Sequence, residues 1–274
     1  MVVSTPRAKI IGEIIAILFI LFCESLEVRS LNGFLGVFDI PIVVSYFLII
    51  LMILIIINSY NLIDGIDGLA ASMGIVVLGM FGYLFYMLDV YFYFLFSLCL
   101  IGILVAYLFF NLSKTKKVFM GDTGSLIIGF CIGFLCLKFL SLDADLIKEN
   151  GLKVENSIII IIAIVFMPLF DTLRVIGVRF ASKKGLFSAD NNHIHHILIN
   201  SGLTHFKASL FLSFLNLVLA IGLISLSRYL NSFWMLFIIS SCFLFLIGVF
   251  HLLKKNIGKL NSSRHLIALI QFIF

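Results

Sequence analysis

A chain of 274 residues that is 62% hydrophobic and 12% charged cannot cover itself with a water-compatible surface, because soluble domains carry about 45–50% apolar and about 25% charged residues. The composition excludes a soluble globular protein and makes a lipid bilayer the solvent. The net charge of +5 is modest; no nucleic-acid partner is expected, and the placement of the charges is more informative than their sum.

Eight apolar stretches are long enough, or nearly so, to cross about 30 Å of hydrocarbon as helices. They lie near residues 8–24, 42–58, 69–88, 90–110, 124–141, 157–178, 208–228 and 232–252. The first follows Arg7 and Lys9, but no A-x-A-like cleavage site comes after it; it reads as a retained span rather than a signal peptide. Lipid-facing backbone must satisfy its own hydrogen bonds, which favours helices. The expected fold is all-α: a polytopic transmembrane helical bundle of about eight spans, a single integral membrane domain over 1–274. Cys23, Cys99, Cys131, Cys136 and Cys242 stand singly in apolar runs and read as small buried hydrophobes.

Lys and Arg set the orientation. With the N-terminus in the cytoplasm, fourteen basic residues fall on that side, against four (Arg29, Lys148, Lys153 and Arg228) on the other. This is the positive-inside bias. The acidic loop of Asp143, Asp145 and Glu149 then lies outside. The most polar segments, Asn58–Leu69, Asn111–Ser125 and Asp171–His196, all land on the cytoplasmic face, a sorting that scattered polarity would not produce.

The first polar segment reads Asn58-Ser-Tyr-Asn61-Leu-Ile-Asp64-Gly-Ile-Asp67-Gly-Leu69. In a helical junction, Asp64 and Asp67 share a face, as do Asn58 and Asn61. Asp-Gly alone favours a solvated turn, but a doubled Asp-Gly behind paired Asn points to a functional site. The second segment is Phe119-Met-Gly-Asp122-Thr-Gly-Ser125, opening a span. Asp122 reads either as a plain N-cap or as a hard-cation ligand with glycines leaving space for phosphate. Magnesium takes a few carboxylate oxygens and keeps phosphates and waters as its other ligands. Asn111 and the run Lys114, Lys116, Lys117 could hold a diphosphate; for the lysines, anionic lipid headgroups are the favoured partner.

In the third segment Pro168 interrupts a helix, so a kink is expected. Asp171 and Arg174 follow at i, i+3, spaced for an ion pair. Then comes Ser188-Ala-Asp-Asn-Asn-His193-Ile-His195-His196. Three histidines invite zinc, but no Cys or Glu stands at ligand spacing; imidazoles and asparagines offered to a nucleotide diphosphate fit better. His205, His251 and His265 read as structural or interfacial. Acids for a metal, bases and amides for phosphates and apolar walls for a lipid tail suit phosphoryl transfer at a membrane surface. A transporter would place broken helices and polar groups near the bilayer midplane, whereas these motifs stand at span ends.

At these three motifs, Asn58–Leu69, Phe119–Ser125 and Pro168–Arg174 with His193–His196, the chain resembles the polyprenyl-phosphate N-acetylhexosamine-1-phosphate transferases, relatives of the phospho-N-acetylmuramoyl-pentapeptide transferase. The resemblance implies a multi-pass enzyme of the bacterial inner membrane with its site facing the cytoplasm. It would move a sugar phosphate, by resemblance GlcNAc-1-phosphate, from a UDP-N-acetylsugar to polyprenyl (undecaprenyl) phosphate, releasing UMP and starting a cell-envelope polysaccharide. It further implies Mg2+ as cofactor, with Mn2+ as the alternative, and Asp122 as the metal ligand. Asp64 and Asp67 would be the essential carboxylates. Asn58, Asn61, Asn111, Ser125, Arg174, His193, His195 and His196 would bind substrate. The UDP-sugar, the lipid phosphate and the bilayer are the expected partners, and a homodimer is compatible with them.

One departure accompanies the resemblance. Members of the family carry an Asp-Asp pair ahead of the span equivalent to 8–24, whereas here no Asp precedes Asp39, and Glu13 lies inside a span. The chain as written is thus expected to lack the family's first spans and the carboxylates for the lipid phosphate. The alternative reading is an inactive or partner-dependent membrane fragment.

Overall fold

The computed structural model describes residues 6–22, 26–181 and 193–257. Each of the eight apolar stretches forms helix. They are α1 (Pro6–Leu21), α2 (Ile42–Ile63), α3 (Leu69–Met87), α4 (Tyr91–Asn111), α5 (Gly121–Leu140), the pair α7 (Ser157–Ile164) and α8 (Phe166–Ala181), α10 (His205–Ser227) and α11 (Ser232–Ile257). Short helices α6 (Ala144–Glu149) and α9 (Ile194–Asn200) lie in connections. Among the described residues the only strands are β1 (Ser30–Phe34) and β2 (Val37–Asp39), an antiparallel hairpin.

Of the eight expected spans, α2, α3, α4, α5, α10 and α11 are long and apolar enough to cross a membrane, and the α7–α8 pair can make a seventh. Helix α1, with 16 residues, reaches only about 24 Å at 1.5 Å per residue. The bundle is polytopic and helical, and the count of eight is approximate.

The largest packed interfaces are α3 with α4, α2 with α5 and α10 with α3. Met73, Val77, Phe81, Phe85, Ile132, Leu135 and Phe139 are buried at the centre. Phe47, Phe92, Phe109, Phe214 and Phe245 point outward. An apolar outside is the arrangement a hydrocarbon solvent selects, since water would not tolerate it.

The kink expected at Pro168 is a break. Helix α7 stops at Ile164, α8 restarts at Phe166, and the axes bend by 73°. The cause is local. The amide that would bond the Ile164 carbonyl belongs to residue 168, and proline has no N–H. The ring also crowds that carbonyl, so the chain turns before the proline and Pro168 falls in the first turn of α8, where its missing donor costs least. The bent pair is a broken span or a re-entrant loop, an interruption of the kind expected of transporters.

Candidate active site

The doubled Asp-Gly motif sits between α2 and α3 and is a turn. Asp64 terminates α2, its amide bonding the Asn61 carbonyl. Gly68 caps α3 in the left-handed region at φ +80°, where a side chain would be strained. Asp64 and Asp67 therefore do not share a helical face; turn chemistry prevails over the helical spacing. Asn111, almost fully buried, fixes this turn. Its Oδ1 accepts from Gly68 N at 2.6 Å and its Nδ2 donates to the Val118 carbonyl at 2.8 Å. Both ends of that amide are used on backbone, so Asn111 sets the spacing between the acidic turn and the loop into α5.

Asp122 stands at the second position of α5, whose N-cap residue is Met120 and receives no side-chain cap. It does not cap the helix. Its carboxylate pairs with Lys9 of α1 and accepts from Asn61 Nδ2 at 3.3 Å. The same Asn61 Nδ2 donates to Ser125 Oγ at 2.7 Å, and Ser125 donates to the Gly121 carbonyl. Ser125 is fully buried and serves the protein's own framework. Asn58, one turn earlier, is bonded to Glu13 Oε2 at 2.8 Å and to the Leu54 carbonyl, so it faces α1.

Asp67 pairs with Lys117 at 2.6 Å and with His205 Nδ1 at 3.1 Å, and its backbone carbonyl accepts from Ser209 Oγ. Burial pushes this carboxyl upward, but hydrogen bonds and charge from Lys117 and His205 outweigh it and hold Asp67 below the usual range. Among the described residues no cation is paired with Asp64. Burial first, then the charges of Asp122 and Asp67, raise it to about 6. The sequence suggests lipid headgroups as partners of the lysine run and a structural or interfacial place for His205; the structure brings Lys117 and His205 onto Asp67. Lys9 is the cation on Asp122, and its one signal in the sequence is its place at the start of the first apolar run.

The histidine motif is fastened from α8. Asp171 Oδ2 meets His193 Nδ1 at 2.9 Å, while Oδ1 accepts from the Ile194 amide at 3.0 Å and from Arg174 Nη2 at 3.2 Å. Asp171 thus caps α9 from another helix. The i, i+3 pair with Arg174 is as the spacing expects, and the His193 bond adds the connection that places the motif. His195 is 2% exposed, and neither ring nitrogen has a hydrogen-bond partner among the described residues. Its ring lies against Gly65, where a Cβ would be 2.2 Å from Nε2. The first glycine of the Asp-Gly pair is therefore where an imidazole closes onto the acidic turn. Burial lowers His195 to about 4 and lowers His196 as well, so both are neutral at physiological pH. Residues 188–192 of the expected loop lie outside the described residues.

Removing the Asp171 charge leaves Arg174 and His193 with a weaker acceptor in a buried setting. Asp171→Asn is expected to cost on the order of 3 kcal/mol. The check is thermal unfolding of purified protein in detergent; an unchanged midpoint would refute the fastening role.

Among the described residues no three His, Cys, Asp or Glu side chains are gathered into a ready-made metal cage. The donor set nonetheless suits a hard cation, which needs only one or two carboxylates when phosphate supplies the rest. The charges of Asp122 and Asp67 act on Asp64 across one end of the bundle, raising its pKa, with Lys9 paired to Asp122 and Lys117 to Asp67.

The sequence model described as "Glycosyl transferase family 4" matches residues 1–140. A probable undecaprenyl-phosphate N-acetylglucosaminyl 1-phosphate transferase of Bacillus subtilis (strain 168) is 34% identical over 210 residues, covering 74% of this chain and 54% of the relative. An undecaprenyl-phosphate alpha-N-acetylglucosaminyl 1-phosphate transferase of Yersinia pestis is 28% identical over 204 residues, 73% of this chain and 53% of that protein. The similarly described protein of Salmonella typhi is 25% identical over 251 residues, 90% and 66%. The chain spans about half the length of the first of these relatives.

Proposed function

The chain belongs to glycosyl transferase family 4, and from that premise we propose that it carries the catalytic face of an enzyme transferring N-acetylhexosamine-1-phosphate, most readily GlcNAc-1-phosphate, from a UDP-sugar to undecaprenyl phosphate. An oxygen of the lipid phosphate attacks the β-phosphorus of the UDP-sugar. The bond from that phosphorus to the bridging oxygen breaks, and its electron pair leaves on UMP. The product is a polyprenyl-diphosphate sugar.

One observation carries the reading: three carboxylates, with Lys9 paired to Asp122 and Lys117 and His205 paired to Asp67, are brought to one end of a membrane-spanning bundle by α1, the α2–α3 turn, the loop before α5, the first turn of α5 and the start of α10. Phosphoryl transfer needs chiefly positioning and charge neutralisation. Mg2+, or Mn2+ in its place, would be held through Asp122 with Asp64 beside it, and supplies charge neutralisation at the phosphates when bound. Asp67, carrying Lys117 and His205, orients cations toward the diphosphate. Asn61 fixes the Asp122 carboxylate. Asn58, Asn111 and Ser125 hold the turn and its neighbours in register, and Arg174 and His193 hold Asp171. His195 and His196, neutral, offer hydrogen bonds without adding repulsive charge to the metal side. The positive-inside bias supports a cytoplasmic orientation of this face, and the proposed site is that of a bacterial inner-membrane enzyme drawing on cytoplasmic UDP-sugars.

The experiment is release of UMP from a panel of UDP-N-acetylsugars by membranes containing the protein, with and without undecaprenyl phosphate and divalent cation. UMP release that requires both supports the reading. No release from any donor contradicts it.

Asp64 gives the pH dependence. Its carboxylate form serves a cation, so kcat/KM should fall as pH drops through about 6, and more Mg2+ should move that midpoint lower by competing with the proton. For stability the sign is opposite. The folded protein keeps the Asp64 proton between the ordinary carboxyl value of 3.8 and about 6, where the unfolded chain has released it, so this contribution is full below 3.8 and disappears as pH rises through about 6. In EDTA, the melting midpoint of Asp64→Asn should be less dependent on pH over that window than that of the wild type; identical profiles would contradict the assignment.

A further inference from the structure

Helix α10 carries a polar stripe through an otherwise apolar span, and each member has a partner on another element. His205 bonds Asp67, Ser209 bonds the Asp67 carbonyl, and Ser213 donates to Ser72 Oγ at 2.8 Å. The fourth member, Asn216, is completely buried and lies at the α7–α8 break. Its Nδ2 donates to the Ile164 carbonyl at 2.9 Å and its Oδ1 accepts from the Met167 amide at 2.9 Å. These are two of the backbone groups that the break leaves without helical partners, one on each side of it: the carbonyl that residue 168 would serve if it were not proline, and the amide that would reach residue 163 in a straight helix. Polar groups without partners are costly in hydrocarbon, so one carboxamide satisfies both ends of the bend and makes the bent form self-consistent.

We propose that Asn216 is a positioning residue for the proposed transfer reaction, acting as a clasp that holds α8 at its bent angle so that Asp171 delivers His193 and His195 to the acidic turn. The chain of contacts is continuous. Asn216 fixes the start of α8, Asp171 stands one turn further on, it holds His193 and the first amide of α9, and α9 lays His195 on Gly65. The opposite end of the same stripe holds Asp67. Helix α10 thereby sets the acidic turn and the histidine helix in one register. The kinetic part of this inference rests on the proposed function; the geometric part does not.

The test uses Asn216→Leu, Pro168→Ala and the double variant in the full chain. Asn216→Leu strands both backbone groups. Pro168→Ala restores a donor for Ile164, so in the double variant α7 and α8 can join as one straight helix and regain their hydrogen bonds. Spin labels at Ile158 and Phe180 report the bend, since straightening a 73° bend lengthens their separation by about 6 Å at 1.5 Å per residue. The expected results are a lowered melting midpoint and about 100-fold lower kcat/KM in Asn216→Leu, a misplacement effect. The double variant should regain the melting midpoint, show the longer distance and keep the low kcat/KM. Recovery of kcat/KM together with stability would reduce Asn216 to a structural strut and overturn the proposal. A wild-type distance in the double variant would overturn it as well. If the wild type transfers no sugar phosphate, the functional reading fails by itself, and the distances still decide whether Asn216 sets the bend.

Discussion

Asp122→Asn is expected to abolish divalent-cation-dependent release of UMP, lowering kcat by about 1,000-fold or more while the protein remains folded. Asp122 is the most solvent-accessible of the three carboxylates that meet at the site end of the bundle, and its partners Asn61 and Lys9 fix its direction without burying it. An asparagine keeps the shape and one acceptor but loses the charge that a hard cation requires. The loss is expected to be large because preorganised charge at a transferring phosphoryl group is the main catalytic resource of such sites. Removing Lys9 should separate the two functions of the pair. Lys9→Ala frees the carboxylate and should weaken substrate binding, seen as a raised KM, far more than it lowers kcat. Membranes carrying each variant at matched protein amount, assayed for UMP, provide the check; wild-type kcat in Asp122→Asn would remove this residue from the metal role.

Gly65→Ala should be nearly as damaging, although it changes neither charge nor polarity. A Cβ at residue 65 would lie 2.2 Å from His195 Nε2 and 2.6 Å from Cε1. No real contact is that short, so the imidazole or the turn must shift. Overpacking of this kind costs typically about 1–3 kcal/mol, and displacement of the histidine helix from the acidic turn is expected to lower kcat/KM about 100-fold. The pairing makes a specific forecast. His195→Ala alone removes an imidazole that has no hydrogen-bond partner among the described residues, so it should lower activity with little loss of stability. In the Gly65→Ala, His195→Ala double variant the clash disappears, and the melting midpoint should return close to that of His195→Ala alone. If Gly65→Ala is as harmful to stability without His195 as with it, the close approach of ring and turn is not what the glycine serves.

Much of the architecture was legible because a bilayer imposes long, nearly uniform apolar runs, and each of the eight runs forms helix. The grouping of the three polar segments at one end was legible for the same reason: alternating spans leave only two faces. What the sequence left hidden is of another kind. Lys9 meets Asp122 across 113 positions and His205 meets Asp67 across 138; contacts at such separation leave no periodic trace. A helical template puts Asp64 and Asp67 on one face, but α2 ends at Asp64 and Gly68 caps α3 in the left-handed region, so the two carboxylates acquire different surroundings in the turn. Pro168 announced a disturbance in its helix, yet the size of the bend depends on Asn216, a residue with no neighbouring motif to attract attention. Ser125, Asn58 and Asn111 stand within motifs and are consumed by contacts inside the protein, which shows that motif membership does not distinguish a ligand-facing amide from one that holds backbone.

The most direct measurement is Mn2+ binding to the purified protein, followed by electron paramagnetic resonance. One bound Mn2+ per chain, lost in Asp122→Asn, weakened in Asp64→Asn above pH 6 but little changed below it, where Asp64 already carries a proton, and showing phosphorus hyperfine coupling when UDP-N-acetylglucosamine is added, is the predicted outcome. Equal Mn2+ affinity in wild type and Asp122→Asn, or bound Mn2+ that never senses the nucleotide phosphates, would contradict a shared cation and diphosphate site built from these separate segments.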